Sequence, residues 1–255
     1  SRSSATLNTV ISKEDVKLWK FFCGILSHGR LTKAYQNHLL TNYMNVFRSS
    51  VTHVSMTNNV ITSLEYLEKF GDTIVNMCIN WWIPIAHPEI KKIGFADLVL
   101  SSMKGSKYLG RIGIEKGWED MVMVKKEDMN FLEDVARTAG AKTKAEIKTV
   151  LRATREYIKI FEDSIEAFFG TIVWTMMQDG KTFGAGVEVC FQIFFWMVAT
   201  THFQGDDKPP GISLKPTDIA GPDVLMTDLY QTKTQELNWG IDFAYFQETQ
   251  IGVYN

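Results

Sequence analysis

The segment EYLEKFGD, Glu65 to Asp72, places carboxylates at Glu65, Glu68 and Asp72, with Gly71 immediately before the last. On a helix, at about 100° per residue, the three acids fall within an arc of roughly 60°. Like charges stacked on one face repel, by about a few tenths of a kcal/mol per pair. Such a stripe is therefore a solvated face, or it is neutralised by something else, of which a divalent metal is one candidate. Leu64, Leu67, Phe70, Ile74 and Cys78 recur at helical spacing on the other side and turn inward. An amphipathic helix is the reading, and the rest of the chain must supply its partner.

Outward from this segment, helical spacing continues through VKLWKFFCGIL, LEYLEKFGDTIVNMCINWW and IFEDSIEAFFGTIVWTMM, and no strict alternation argues for a sheet before about residue 202. Pro84 and Pro88 are expected to end the helix that carries the opening segment. Residues 203–222, FQGDDKPPGISLKPTDIAGP, form the clearest linker. Beyond it, PDVLMTDLYQTKTQELNW suits a short amphipathic helix and IDFAYFQETQIGVYN alternates like a strand. The fold class is thus mainly α, followed by the start of a small α+β module. The expected division is a helical extension over 1–43, a helical domain over 44–202, a linker over 203–221 and the module over 222–255.

The partner is FEDSIEAFFG, residues 161–170. Asp163 and Glu166 stand at i and i+3, and Gly170 follows one turn later on the same face. Ile165, Phe168, Phe169 and Ile172 occupy the opposite side, so this helix is pinned in a core with its acids at the border. Two such helices can gather four carboxylates around one divalent metal, or two. Oxygen-only ligation favours magnesium or manganese, which activate water and stabilise a phosphoryl transition state.

These residues resemble the ribonuclease III family. Glu65-Tyr-Leu-Glu68-Lys-Phe-Gly71-Asp72 matches its hallmark E-x-L-E-x-x-G-D at every acidic and glycine position, and DSIEAFFGTIV is close to its D-x-x-E-A-x-x-G signature. VTHVSM at 51–56 is similar to its T-H-x-S segment, and SSMKGSKYLGRIGIEKGWEDMV to the stretch that follows. The resemblance covers about residues 44–202. It implies an all-helical endonuclease domain hydrolysing double-stranded RNA to staggered ends with 5′ phosphates and 3′ hydroxyls. It further implies Glu68, Asp72, Asp163 and Glu166 as catalytic and metal-binding carboxylates for Mg2+, with Mn2+ as the alternative ion. Glu65 would touch RNA or orient a water at the edge of the site.

The family is dimeric, through an aromatic residue where Lys69 stands here; a homodimer is implied, with a heterodimer left open by Lys69. Tyr66 likewise replaces the family's usual arginine, and the stretch from about Lys126 to Arg155 is a long insertion. PDVLMTDLYQ resembles the first helix of a double-stranded RNA-binding domain, with Asp228 and Gln231 where polar side chains face the minor groove. A catalytically silent scaffold of the same fold is the alternative, and it commonly lacks one or more of the acids kept here. A helical phosphohydrolase with a His-Asp ligand pair is disfavoured, since no His-Asp dipeptide occurs.

The formal net charge of −2 excludes a broadly basic RNA-binding protein, so any RNA surface must be local. One candidate is the row Lys144, Lys148, Arg152, Arg155 and Lys159, which spans roughly 80° of one face if a single helix runs unbroken to Asp163. Phosphate binding and a solvated or acid-paired face both fit that row. His53 in the T-H-x-S turn reads as a hydrogen-bonded structural residue. Cys23, Cys78 and Cys190 lie far apart without a C-x-x-C pair, which points to a reducing, intracellular and cytoplasmic setting. FFGTIVWTMM and VCFQIFFWMVA are expected to be buried helices too short to span a membrane.

Overall fold

The computed structural model describes residues 13–57, 64–86, 100, 103 and 106–201, and the linker and C-terminal module of the sequence reading lie outside them. The described chain is helical: α1 (Lys13–Leu26), α2 (Lys33–Ser49), α3 (Glu65–Ala86), α4 (Ser106–Glu115), α5 (Lys126–Thr138), α6 (Lys144–Ala153), α7 (Arg155–Gln178) and α8 (Phe183–Thr200), with short 3-10 turns between. Pairing of extended backbone among these residues is confined to one parallel bridge, Thr52 with Met123.

The axis of the fold is α7. Nearly every residue from Tyr157 to Met176 is buried, which a helix achieves only when neighbours cover all its sides. α3 makes the most extensive contact with it, followed by α4 and α8, with α2 and α6 completing the sleeve. The inward sets expected for both acidic helices hold. Leu64, Leu67, Ile74 and Cys78 are buried on or beside α3, and Ile165, Phe168, Phe169 and Ile172 on α7. Phe70 is half-buried at the edge.

Phe168 centres an aromatic cluster. Phe22 stacks on it at 5.5 Å with an interplanar angle of 7°, and Trp118 meets it edge-on at 5.7 Å. Phe22 belongs to α1, so residues read from sequence as an extension contribute Leu18, Phe22, Ile25 and Leu26 to the common core. The expected boundary after residue 43 falls inside α2, where Tyr43 leaves helical geometry at φ −127° and ψ 20°.

Helix ends follow local chemistry. Thr32, Thr143 and Thr182 cap α2, α6 and α8 by accepting from the backbone N–H of Tyr35, Glu146 and Ala185. Thr143 and Glu146 form a complete capping box. Gly180 takes φ +79° after α7, letting the Lys181 N–H return to the Met176 carbonyl at 2.9 Å.

Three expectations are corrected. Pro84 does not end α3 but lies inside it, two residues before its end at Ala86. Pro84 is exposed there, so the Asn80 carbonyl it leaves without a helical donor can be met from solvent. The helix through the basic row is broken: α6 stops at Ala153, Thr154 is extended at φ −87° and ψ 129°, and α7 starts at Arg155. Finally, α8 is an 18-residue helix with mean hydropathy 1.5, long and apolar enough by composition to cross a membrane, although 61% of it is buried within this fold. The apolar run VCFQIFFWMVA understated it because FGAGVE extends the same helix with one charge, Glu188.

Candidate metal centre

The two acidic helices meet at their glycines. A Cβ on Gly71 would lie 1.6 Å from the Glu166 carbonyl oxygen, and one on Gly170 would lie 2.3 Å from the Leu67 carbonyl oxygen. No side chain fits between backbones that close, so glycine is required on both sides of the crossing. The carboxylates flanking these glycines are thereby brought to one place. Oxygens of Glu68, Asp163 and Glu166 all lie within 4.8 Å of one another.

Asp72, the fourth acid expected from sequence, stands just outside this trio. Its charge raises the proton affinity of both Glu166 and Glu68, which places it in the same field. The Asn76 amide also reaches its Oδ2 at 3.4 Å. Glu65 is exposed at the first turn of α3, and its charge acts on Glu68.

Electrostatically the cluster is short of positive charge. Burial, then the charges of Glu162 and Asp72, push the Glu166 carboxyl up to about 9. Burial and Asp163 raise Glu68, and burial raises Asp163 although Lys159 pulls it back. The Lys159 ammonium bridges Asp163 Oδ1 and Glu162 Oε2, the latter at 3.6 Å. Burial works against the charge of Lys159, and Asp163, Glu162 and Glu166 outweigh it and push its pKa up.

Glu162 is the group that sequence reasoning missed. It is 6% exposed, burial pushes it up to about 7, and its Oε2 has no hydrogen-bond partner among the described residues. A signal was present: Glu162 is i+3 from Lys159 and i−4 from Glu166, the spacings at which helical side chains meet.

The residues fit a hard divalent cation. The donor set is oxygen only and three carboxylates converge in a buried setting, where burial raises the proton affinity of each and, for Glu68 and Glu166, neighbouring carboxylates add to it. His53 has a structural role and lies within electrostatic reach of Asp163, whose proton affinity its charge lowers. It caps the 3-10 turn Val54–Met56 by accepting from the Ser55 N–H, and its own backbone N–H donates to the Met123 carbonyl at 2.9 Å.

The basic row does not form one face. Lys148 lies 2.7 Å from Glu119 Oε2, and Arg152 grips both oxygens of Glu119 at 3.1 and 2.5 Å. The Tyr157 hydroxyl donates to Glu119 at 2.8 Å. Burial would raise Glu119, but these donors hold it down at about 2. Two of the five cations therefore latch α6 to the 3-10 turn Trp118–Asp120, and Lys159 belongs to the acidic cluster. Lys144 and Arg155 are exposed at the first positions of α6 and α7. Asp228 and Gln231 lie outside the described residues. Cys78 and Cys190 are buried, Cys23 is half-buried, and none of the three is in a disulfide.

Set against protein-family models, curated proteins and solved structures, the chain matches none.

Proposed function

We propose that the chain is a metal-dependent endoribonuclease of the ribonuclease III type. It hydrolyses phosphodiester bonds in double-stranded RNA and leaves staggered ends with 5′ phosphates and 3′ hydroxyls. The observation that carries this reading is the glycine-on-glycine crossing of α3 and α7, which gathers Glu68, Asp163 and Glu166 around one point. The motifs EYLEKFGD and DSIEAFFG stand in sequence on the two helices that cross.

Glu68, Asp163 and Glu166 would hold the ion, Mg2+ or Mn2+, with Asp72 adding its charge from the next turn of α3. Such an ion, when bound, polarises a phosphoryl oxygen and makes water a stronger acid. The chain's own part is to hold that chemistry rigidly. α7 is covered on all sides, so Asp163 and Glu166 are positioned by a helix that has no room to shift. Lys159 sets one ammonium at the rim of the acids, where it can face the backbone phosphates.

The same reading assigns RNA contacts to Glu65, Lys144 and Arg155 at helix starts, and to Asp228 and Gln231 beyond the linker. It also includes a dimer, two copies of this chain or one copy with a different subunit admitted by Lys69, and an intracellular setting. The test is incubation of the purified chain with long double-stranded RNA, with Mg2+ and with EDTA, beside Glu166→Gln. Cleavage by wild type with Mg2+, and its absence in the other arms, is the expected result. RNA binding without cleavage by wild type would overturn the enzyme in favour of a silent scaffold of the same fold.

A further inference from the structure

Lys159, Glu162 and Asp163 lie on one face at the start of α7, and the ammonium of Lys159 stands between the two carboxylates. The two acids differ in what else asks for them. Asp163 is one of the three carboxylates that converge within 4.8 Å, whereas Glu162 is not in that group. The Glu162 side chain is 8% exposed against 44% for Lys159, so the acid is fixed in the wall while the lysine reaches in from the rim. Apart from Lys159 at 3.6 Å, Glu162 Oε2 has no hydrogen-bond donor among the described residues. A buried carboxylate oxygen in that state calls for a cation.

A cation held by Glu68, Asp163 and Glu166 draws on the charge that now holds Lys159. Without another anchor, the ammonium competes for Asp163 or swings into solvent. Glu162 supplies a third course, since closing the 3.6 Å gap gives Lys159 a full ion pair that leaves Asp163 to the metal. We propose that Glu162 is a positioning residue that retains Lys159 beside the carboxylate cluster when a divalent cation takes Asp163, an assignment that rests on the metal centre proposed above. Glu162 acts through the lysine and touches neither ion nor RNA, in the manner of outer-shell groups that orient first-shell ligands.

The test is a double-mutant cycle read by Mn2+ binding, using calorimetric titration of the full chain at one fixed pH. Glu162→Gln is expected to weaken Mn2+ about tenfold. In the Lys159→Met background the same change is expected to alter affinity by less than about twofold, because there is no ammonium left to retain. Glu162→Asp, which keeps the charge, is expected to fall between wild type and Glu162→Gln. An equal loss with and without Lys159 would show only a long-range charge effect and would overturn the assignment, as would unchanged affinity in Glu162→Gln. Lys159→Met alone is expected to tighten Mn2+ by removing the competitor for Asp163. Should Glu162→Gln fail to fold, unchanged or weaker binding in Lys159→Met overturns the assignment. Absence of Mn2+ binding by wild type would sink the metal centre and this assignment together, whereas binding with an additive cycle sinks the assignment alone.

Discussion

Glu166→Gln should make the metal-free protein more stable, and the gain should grow with pH. The folded carboxyl has its pKa near 9, against the ordinary 4.5 of the unfolded chain. A raised carboxyl is bound by its proton in the fold while the unfolded chain has already released it. Below pH 4.5 both states are protonated and the group is neutral in its effect. As pH climbs from 4.5 toward 9 the fold binds more protons than the unfolded state, so stability falls with pH across that window. At 1.36 kcal/mol per unit, pH 7.5 gives a penalty of about 4 kcal/mol for this one side chain. Glutamine keeps the shape without the charge, and part of the burial penalty stays with its amide, so the expected gain is about 2–4 kcal/mol. That corresponds to roughly 5–15 °C in Tm for a domain of this size. The assay is urea denaturation in EDTA at pH 5, 6.5 and 8, with the m-value checked for constancy. Mn2+ should stabilise wild type more at pH 8 than at pH 5, and the variant much less at either. A variant no more stable than wild type at pH 8, or one whose advantage grows as pH falls, would refute the reasoning.

Gly71→Ala should lose at least about 3 kcal/mol in urea denaturation, because its Cβ would meet the Glu166 carbonyl oxygen, a backbone atom that cannot swing aside. An unchanged midpoint would contradict the close crossing. Glu119→Gln should lower stability by about 1–3 kcal/mol, since Lys148, Arg152 and Tyr157 lose a shared ionic acceptor; susceptibility of the α5–α6 region to protease reports the same loosening. Reversing Lys144 and Arg155 to glutamate should weaken RNA binding and flatten its salt dependence, each lost phosphate contact lowering the slope by about one, with Tm unchanged. An unaltered slope would remove both from the RNA surface.

What the sequence made legible is what periodicity and spacing encode. The inward faces of α3 and α7 followed from which residues share a helix face. Spacing left the meeting of Glu68, Asp163 and Glu166 across two helices only as one option, and its expectation, with Asp72 as a fourth member, came from the resemblance of the two motifs. The break at Thr154 was hidden because neither glycine nor proline marks it. A single extended threonine redirects the chain while its hydroxyl still bonds the Val150 carbonyl, and the basic spacing continues across it. Charge pairing was hidden for another reason. Glu119 lies 33 residues from Arg152, so only the packed fold shows that two cations of the row are occupied. Glu162 was overlooked beside Asp163 because one motif drew attention to its own acids, although its spacing to Lys159 was in plain view. Pro84 inside α3 shows the limit of breaker rules near an exposed helix end.

The crossing of α3 and α7 has a consequence for how the protein tolerates change. Where helices are held apart by side chains, every altered volume in the core resets their distance. Here the contact is backbone against backbone, made of atoms common to all residues, so the separation of the acids is gauged by something mutation rarely alters. Phe168, Ile172 or Leu67 can vary in size and the strain will appear elsewhere in the fold. Two glycines thus serve as a mechanical stop, and the chemistry inherits its precision from the absence of side chains.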